Sequence, residues 1–515
     1  MACKQYTNKI AILAAIETTY GIDPNADYTA ILANETPEAS IEGDIIERTI
    51  VVPDFSPLGH VIGAKRQMSS MELEVKGGGV DGGGNLVDSE MDKLLRACSL
   101  KKSAGKLLSC DDYTGTFDRG EEVRIGDAVA TAALHIGTED LSAGYDWATS
   151  NEDFSIDVNG AGVITVNLTT LTNDVATTVT AINNALTAAG VTGVEAFDSG
   201  IYVGIKTLFN GTGQSFILAT GVADALVTLG WTAATYTGTG TEDSIGTLVL
   251  FDVDPLVSTN VTLWTEGQLG TYTENYVITG VDSGATASLT GDGISVAYAY
   301  DTLVYRPTST CTEQESIAIR FSEDGIRKQL TGVRGNVTIT FESGQYGRAA
   351  FEMTGLYNDP TDQTLPAVTV STILPPVCFS AGLTIGDYPM DKAAVTTFEV
   401  GLGNNITEVQ DINAPEGLVS IEITDRAPTF SVNPDVVLLA DYDIYDVWKN
   451  GTHVDIKATF GTQLPSPEGK RLHVAVPRGQ FDSVGTTDRD LVRAYELPGK
   501  PTRYKGDDEL YFIFY

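Results

Sequence analysis

The sequence predicts a mainly β chain, on three observations. Val337, Ile339 and Phe341 alternate with Thr338, Thr340 and Glu342, and Ala349, Phe351 and Met353 alternate with Ala350, Glu352 and Thr354 beyond Ser343-Gly344-Gln345-Tyr346-Gly347. Period-2 alternation on both sides of a glycine-containing turn specifies a β-hairpin. The 53 glycines and 21 tyrosines, with long runs rich in Thr and Val, suit many turns between strands. Only three short stretches carry helical periodicity. At 515 residues the chain exceeds one ordinary core, so two to four domains are expected.

From the N-terminus, the apolar run IAILAAI ends at Glu17 without a small-residue cleavage site, so Lys4–Ile16 reads as an arm or first strand rather than a signal peptide. No apolar run reaches the roughly 18–20 residues needed to span a bilayer. Strand-like segments at Ile45–Val52 and Met71–Val75 are separated by the stretch Pro53–Ser70. A connection that long is usually functional or without fixed structure. It supplies the candidate site residues: Pro53, Asp54, Phe55, Pro57, Leu58, Gly59, His60, Lys65 and Arg66. The glycine triplets 77–79 and 82–84 read as a flexible tip, because no Lys-Ser/Thr pair follows to hold a phosphate. A helix is predicted over Asp88–Leu100, capped by Asp88 or Ser89, with Met91, Leu94, Leu95 and Cys98 forming one apolar stripe.

A hairpin is predicted at Phe154–Val158 and Val163–Val166 across Asn159-Gly160. A helix follows over Asp174–Ala189, buried through Val175, Val179, Ile182 and Leu186 and stopped by Gly190. Two strands then flank Asp198-Ser199-Gly200, completing a β-β-α-β-β order. After the central hairpin, Val368–Pro376 reads as a linker or edge strand. The C-terminal segment shows strands at Thr397–Val400, Val419–Arg426 and Thr429–Val432, then a short helix at Asp441–Asn450. Strand, long connection, strand with a basic residue and short helix recur in the same order as in the first 110 residues, which suggests an internal duplication.

Catalytic, cofactor-binding and metal-binding residues are not expected. His60, His135, His453 and His473 show no HxxxH or HExxH spacing, and no Gly-x-Ser-x-Gly occurs. Asp441-Tyr442-Asp443 lacks EF-hand spacing. Five scattered cysteines make neither a metal site nor a disulfide framework, and folding in a reducing cytoplasm is the default. The formal net charge of −37 argues against specific DNA binding. The acidity concentrates between Asp111 and Asp301, where 25 acidic residues face only Arg119, Arg124 and Lys206. That composition suits a solvated surface.

Several motifs, in order, carry a resemblance. The opening Ile12–Pro24 with ETTYG, the segment LLRACSL (Leu94–Leu100), Gly325–Asn336 with LTGVRG, and FEMTGLY (Phe351–Tyr357) followed by Asp359-Pro360-Thr361-Asp362 resemble major tail tube proteins of long, non-contractile-tailed bacteriophages. LVSIEITDRAPTFSV and the terminal DDELYFIFY are similar to the C-terminal half of that family. The resemblance breaks off near residue 112 and resumes near 301. It implies a discontinuous first domain, 1–112 and 301–376, and a second domain of the same type, 377–515, each a β-sandwich or barrel with a short helix. Between them, 113–300 would be an inserted decoration, and its 150–240 portion resembles the small inserts of flagellin and flagellar hook-associated proteins.

The resemblance implies a structural virion protein, not an enzyme, made and assembled in the host cytoplasm and resident in the virion tail. Subunits would join into stacked rings, and the length and Pro/Gly content of the Pro53–Ser70 loop suggest that it reaches the adjacent ring. A tape measure protein and a tail terminator would be partners, and double-stranded DNA would pass through the lumen without specific binding. Two tube domains per chain imply a homotrimer with pseudo-sixfold symmetry; a true hexamer is the alternative. A rival reading is a tail-associated receptor- or carbohydrate-binding protein acting through the inserted domain, and a third is an acidic glycosidase.

Overall fold

The computed structural model describes residues 9–50, 59–126, 132–210, 214–238, 242–253, 259–267, 276–289, 299–461 and 469–515. The chain forms two compact units, Met1–Ala104 with Tyr300–Tyr515, and Gly105–Ala299. Both are built mainly from antiparallel strands.

In the first unit the strands are β1 (Ile10–Ile16), β2 (Ala33–Ile46) and β3 (Val61–Glu74), then helix α1 (Asp92–Ala97). Next come β4 (Ile317–Glu323), β5 (Ile326–Glu342) and β6 (Arg348–Leu356). Each pairs antiparallel with its neighbour in the lateral order β1-β4-β5-β6-β3-β2. The chain then adds β7 (Thr384–Ile385), β8 (Val395–Gly401), β9 (Asn404–Gln410), β10 (Leu418–Arg426) and β11 (Thr429–Pro434). Helix α2 (Ile444–Lys449) precedes β12 (Val454–Phe460), β13 (Leu472–Phe481), β14 (Gly485–Arg489) and β15 (Val492–Pro501). Their lateral order is β7-β12-β13-β15-β11-β8.

The two orders are the same once the strands are taken in sequence. In each half a first strand is followed by two adjacent strands, β2–β3 or β8–β11, and a helix, then by three strands, β4-β5-β6 or β12-β13-β15, that lie between the first strand and that pair; the second half also carries the β9–β10 hairpin and β14. The two halves join edge to edge. β5 pairs with β8 from Thr338↔Gly401 to Glu342↔Thr397. At that seam Phe341 stacks on Phe398 and Phe460, with ring centroids 6.0 Å and 3.9 Å apart. One hydrophobic core runs through both halves, from Ile12 to Phe514.

The predicted central hairpin is β5–β6, with Val337 opposite Phe351 and Ile339 opposite Ala349. α1 is shorter than the predicted 88–100, but Met91, Leu94, Leu95 and Cys98 are all buried. Ser89 acts at its start, where its Oγ accepts the Met91 N–H at 3.3 Å. Asp443 caps α2 by accepting the Asp446 N–H. Three expectations are corrected. Residues 61–70, read as loop, belong to β3. Asn404–Gln410, read as connection, is β9, paired with β10. The first glycine triplet is packed, not a flexible tip: Gly79 N–H donates to Gly469 O at 3.0 Å, and a Cβ on Gly78 would lie 2.2 Å from Val87 O. Only glycine fits such an approach of two backbones. The second triplet, 82–84, is an exposed turn. Residues 368–376 form no strand.

The second unit contains a closed antiparallel barrel. Strand Leu100–Thr114 pairs with Val261–Glu266, that strand with Glu242–Val253, then with Glu122–Gly126, Val277–Gly280 and Thr286–Leu289, which returns to Leu100–Thr114. Its core includes Leu108, Val123, Ile125, Leu248, Leu263 and Ile278. Between Glu122–Gly126 and Glu242–Val253 lies a second module with its own core around Trp147, Phe154, Ile182 and Phe216. Here the predicted hairpin is Asp153–Val158 with Ile164–Asn167, and the helix is Val175–Ala188. Asp174 and Thr177 cap that helix reciprocally. Val175, Ile182 and Leu186 are buried as predicted, and Val179 packs at the rim.

Candidate assembly interface

Three of the motifs that carry the family resemblance lie far apart in sequence but meet around one phenol. The Tyr20 hydroxyl donates to Gly332 O at 3.0 Å and accepts the Ile421 N–H at 2.6 Å. Gly332 N–H donates to Glu17 Oε1 at 2.7 Å, and the other Glu17 oxygen accepts the Gly21 N–H at 2.8 Å. Gly332 holds φ of +58°, and a Cβ there would sit 2.7 Å from the Tyr20 ring. The Arg334 guanidinium lies 5.4 Å from the centre of the same ring, pairs with Glu422 and donates to Ile421 O at 3.2 Å. ETTYG, LTGVRG and the β10 strand are thereby locked together. Burial is the main cause that pushes the Tyr20 phenol up to about 12, so it stays a neutral donor and acceptor. Its neighbour Asp23 receives Arg320, Tyr28 and Asn25; burial opposes its charge, but these partners prevail and hold it at about 2.

β2 and β3 form a hairpin of two fourteen-residue strands. Of the candidate site residues, Pro53, Asp54, Phe55, Pro57 and Leu58 lie outside the described residues. Gly59 and His60 are exposed just before β3. Lys65 and Arg66 are not on a loop; they sit on β3 and bind the second half of the same unit. Lys65 Nζ meets Glu416 at 2.6 Å, and its backbone N–H donates to Glu416 O at 3.0 Å. Arg66 meets Glu408 and Asp44 at 3.1 Å each and Glu42 at 3.5 Å. These ties fix the base of the hairpin. Near its described end the apolar side chains face solvent: Ile45, Ile46 and Val61 are 62%, 54% and 52% exposed, and Ile50 and Ile62 are similar. A cluster of exposed β-branched residues at a hairpin end is a candidate interaction surface. The sequence reading named Lys65 and Arg66 in this hairpin as site residues and did not so name Ile45, Ile46, Val61 and Ile62, whose exposure only the fold reveals.

Two sheet edges complete the geometry. Among the described residues, β2 pairs only with β3, and β14 pairs only with β15. No group of three or more His, Cys, Asp or Glu residues that could hold a metal occurs among the described residues. Cys98, Cys110 and Cys378 are buried free thiols, and burial pushes all three up.

No helix among the described residues is long and apolar enough to cross a membrane. No curated protein matches the chain. A family model described as phage tail tube protein matches residues 209–468, a span that contains the β5–β6 hairpin, the β5–β8 seam and the β9–β10 hairpin. That match covers half of the chain, and with the mainly β fold it shows that the chain belongs to the phage tail tube protein family.

Proposed function

We propose that the chain is the major tail tube subunit of its phage, and that three copies close into a ring with pseudo-sixfold symmetry. The observation that carries this reading is the repeated strand order of the first unit. Two halves with the same topology are joined by one edge pair, β5–β8, and such a pair would supply two adjacent positions of a ring. Covalent fusion fixes which neighbour each half meets and removes part of the association entropy. Six positions then need three chains. The exposed apolar end of the β2–β3 hairpin supports a second contact, to the ring above or below. Burying each such side chain contributes roughly 1.5–3 kcal/mol before the ordering cost is subtracted.

The tube would serve as the conduit for DNA during ejection. Its chemistry is passive: an acidic or neutral bore lets a polyanion slide, whereas a basic one would hold it. The formal charge of −37 suits that task. Purified protein incubated at high concentration and viewed by negative-stain electron microscopy tests the reading. Hollow cylinders of stacked rings are expected; a chain that stays monomeric under all polymerising conditions would overturn it.

A further inference from the structure

The module between Glu122–Gly126 and Glu242–Val253 carries an aromatic surface that the tube reading leaves unused. Its strands Val194–Ser199, Tyr202–Asn210 and Ala132–Ile136 form one antiparallel sheet, in which alternate residues face opposite ways. Val194, Ala196, Val203 and Ile205 turn inward and join the core with Ile182 and Leu186 of the helix. The outward face therefore falls into three cross-strand rows. Ser199 stands beside Tyr202, Phe197 beside Gly204 and Ile136, and Glu195 beside Lys206 and Leu134. Successive rows lie about 7 Å apart. In the middle row the Phe197 ring lies over Gly204, where a Cβ would be 2.3 Å from the nearest ring atom. Only glycine lets the ring lie down on the sheet. Phe197 is half-buried, and Ile136 and Leu134 at its side are 40% and 48% exposed. Lys206 Nζ stands 5.5 Å from the ring centre and pairs with Glu195 at 3.1 Å.

We propose that this face binds one neutral hexopyranose ring of a glycan, a role added to that of tube subunit. The C–H face of a pyranose matches a phenyl ring in size, and stacking removes apolar surface of both from water. Polar groups are needed at the rim of such a floor, where the sugar hydroxyls point. Here they flank the ring on two sides. The Lys206 ammonium has three donors and gives one to Glu195, whose second oxygen remains an acceptor, and the Ser199 and Tyr202 hydroxyls form the opposite row. Charge selects the ligand. Between residues 132 and 238 there are ten acidic residues and one base, Lys206. That base neutralises Glu195 beside the ring, while the acidity around it repels phosphates and uronates. A protein partner would need about 800 Å² of buried surface on each side, more than a floor one aromatic ring wide supplies.

The test is saturation-transfer difference NMR on the full chain, with maltotriose, cellotriose and chitotriose as probes. Transfer to ring C–H protons of at least one probe is expected. Phe197→Leu keeps Gly204 covered but has no aromatic face. It should melt at the native temperature and bind that probe roughly tenfold more weakly. Lys206→Met, at a half-exposed position, should weaken binding roughly fivefold and decides the matter if Phe197→Leu does not fold. No transfer to any of the three probes overturns the site. So does undiminished binding by either folded variant, which would mean that Phe197 serves only to shield Gly204. Neither result bears on the tube reading, which rests on the other unit.

Discussion

The Tyr20 hydroxyl accepts the backbone N–H of Ile421, 401 positions further along the chain, at 2.6 Å. One phenol thereby couples the N-terminal turn to the β10 strand of the second half, and through Gly332 to β5 between them. Tyr20→Phe should leave the Ile421 N–H and the Gly332 carbonyl without this partner in a largely dry setting. A loss of about 1–3 kcal/mol follows, read as a lower denaturation midpoint for the first unit. An unchanged midpoint would mean that water replaces the phenol without cost.

His473 on β13 is buried, and its Nδ1 lies 2.9 Å from Thr459 Oγ1. Burial, helped by nearby Lys457, holds its pKa down at about 3. The unfolded chain takes up a proton near the ordinary histidine value of about 6.5, while the folded chain does not. This contribution to stability is full above that value and is lost as pH falls towards 3, at up to about 1.4 kcal/mol per pH unit. The melting temperature should therefore fall faster between about pH 7 and 5 in the native chain than in His473→Gln. Parallel pH profiles for the two proteins would contradict the assignment.

Gly78→Ala should destabilise the first unit by roughly 1–3 kcal/mol, because the added methyl meets backbone rather than a movable side chain. Gly82→Ala, at a position where a Cβ meets nothing within 4 Å, is the matched control and should be close to neutral in calorimetry.

The unit formed by 105–299 carries two hydrophobic cores of its own, and none of its described residues belongs to the core of the first unit. Replacing it with a short Gly/Ser bridge should leave a folded chain that still assembles, into thinner tubes by electron microscopy. A soluble, folded deletion variant that no longer assembles would show that the insert takes part in the wall.

The hairpin β5–β6 and the stripes of α1 and Val175–Ala188 were legible because each buries one face, so burial imprints a period on the sequence. β3 was not legible along Val61–Arg66, where both faces remain partly wet and Lys65 and Arg66 face acidic partners instead of a core. β9, NNITEVQ, was missed for the same reason: its partner is another half-exposed strand, and its side chains are nowhere fully buried. The Tyr20 cluster could be read only as separate motifs, since its members are brought together by the fold. The open edge of β14 left no mark, because an unpaired backbone has no side-chain signature.

The central claim is that two positions of the ring belong to one chain. Mass per unit length of assembled tubes, combined with the axial ring spacing from the same micrographs, tests it most directly. The predicted result is a ring mass of three times the 54.7 kDa chain, with six similar lobes around the bore. Six chain masses per ring would contradict it.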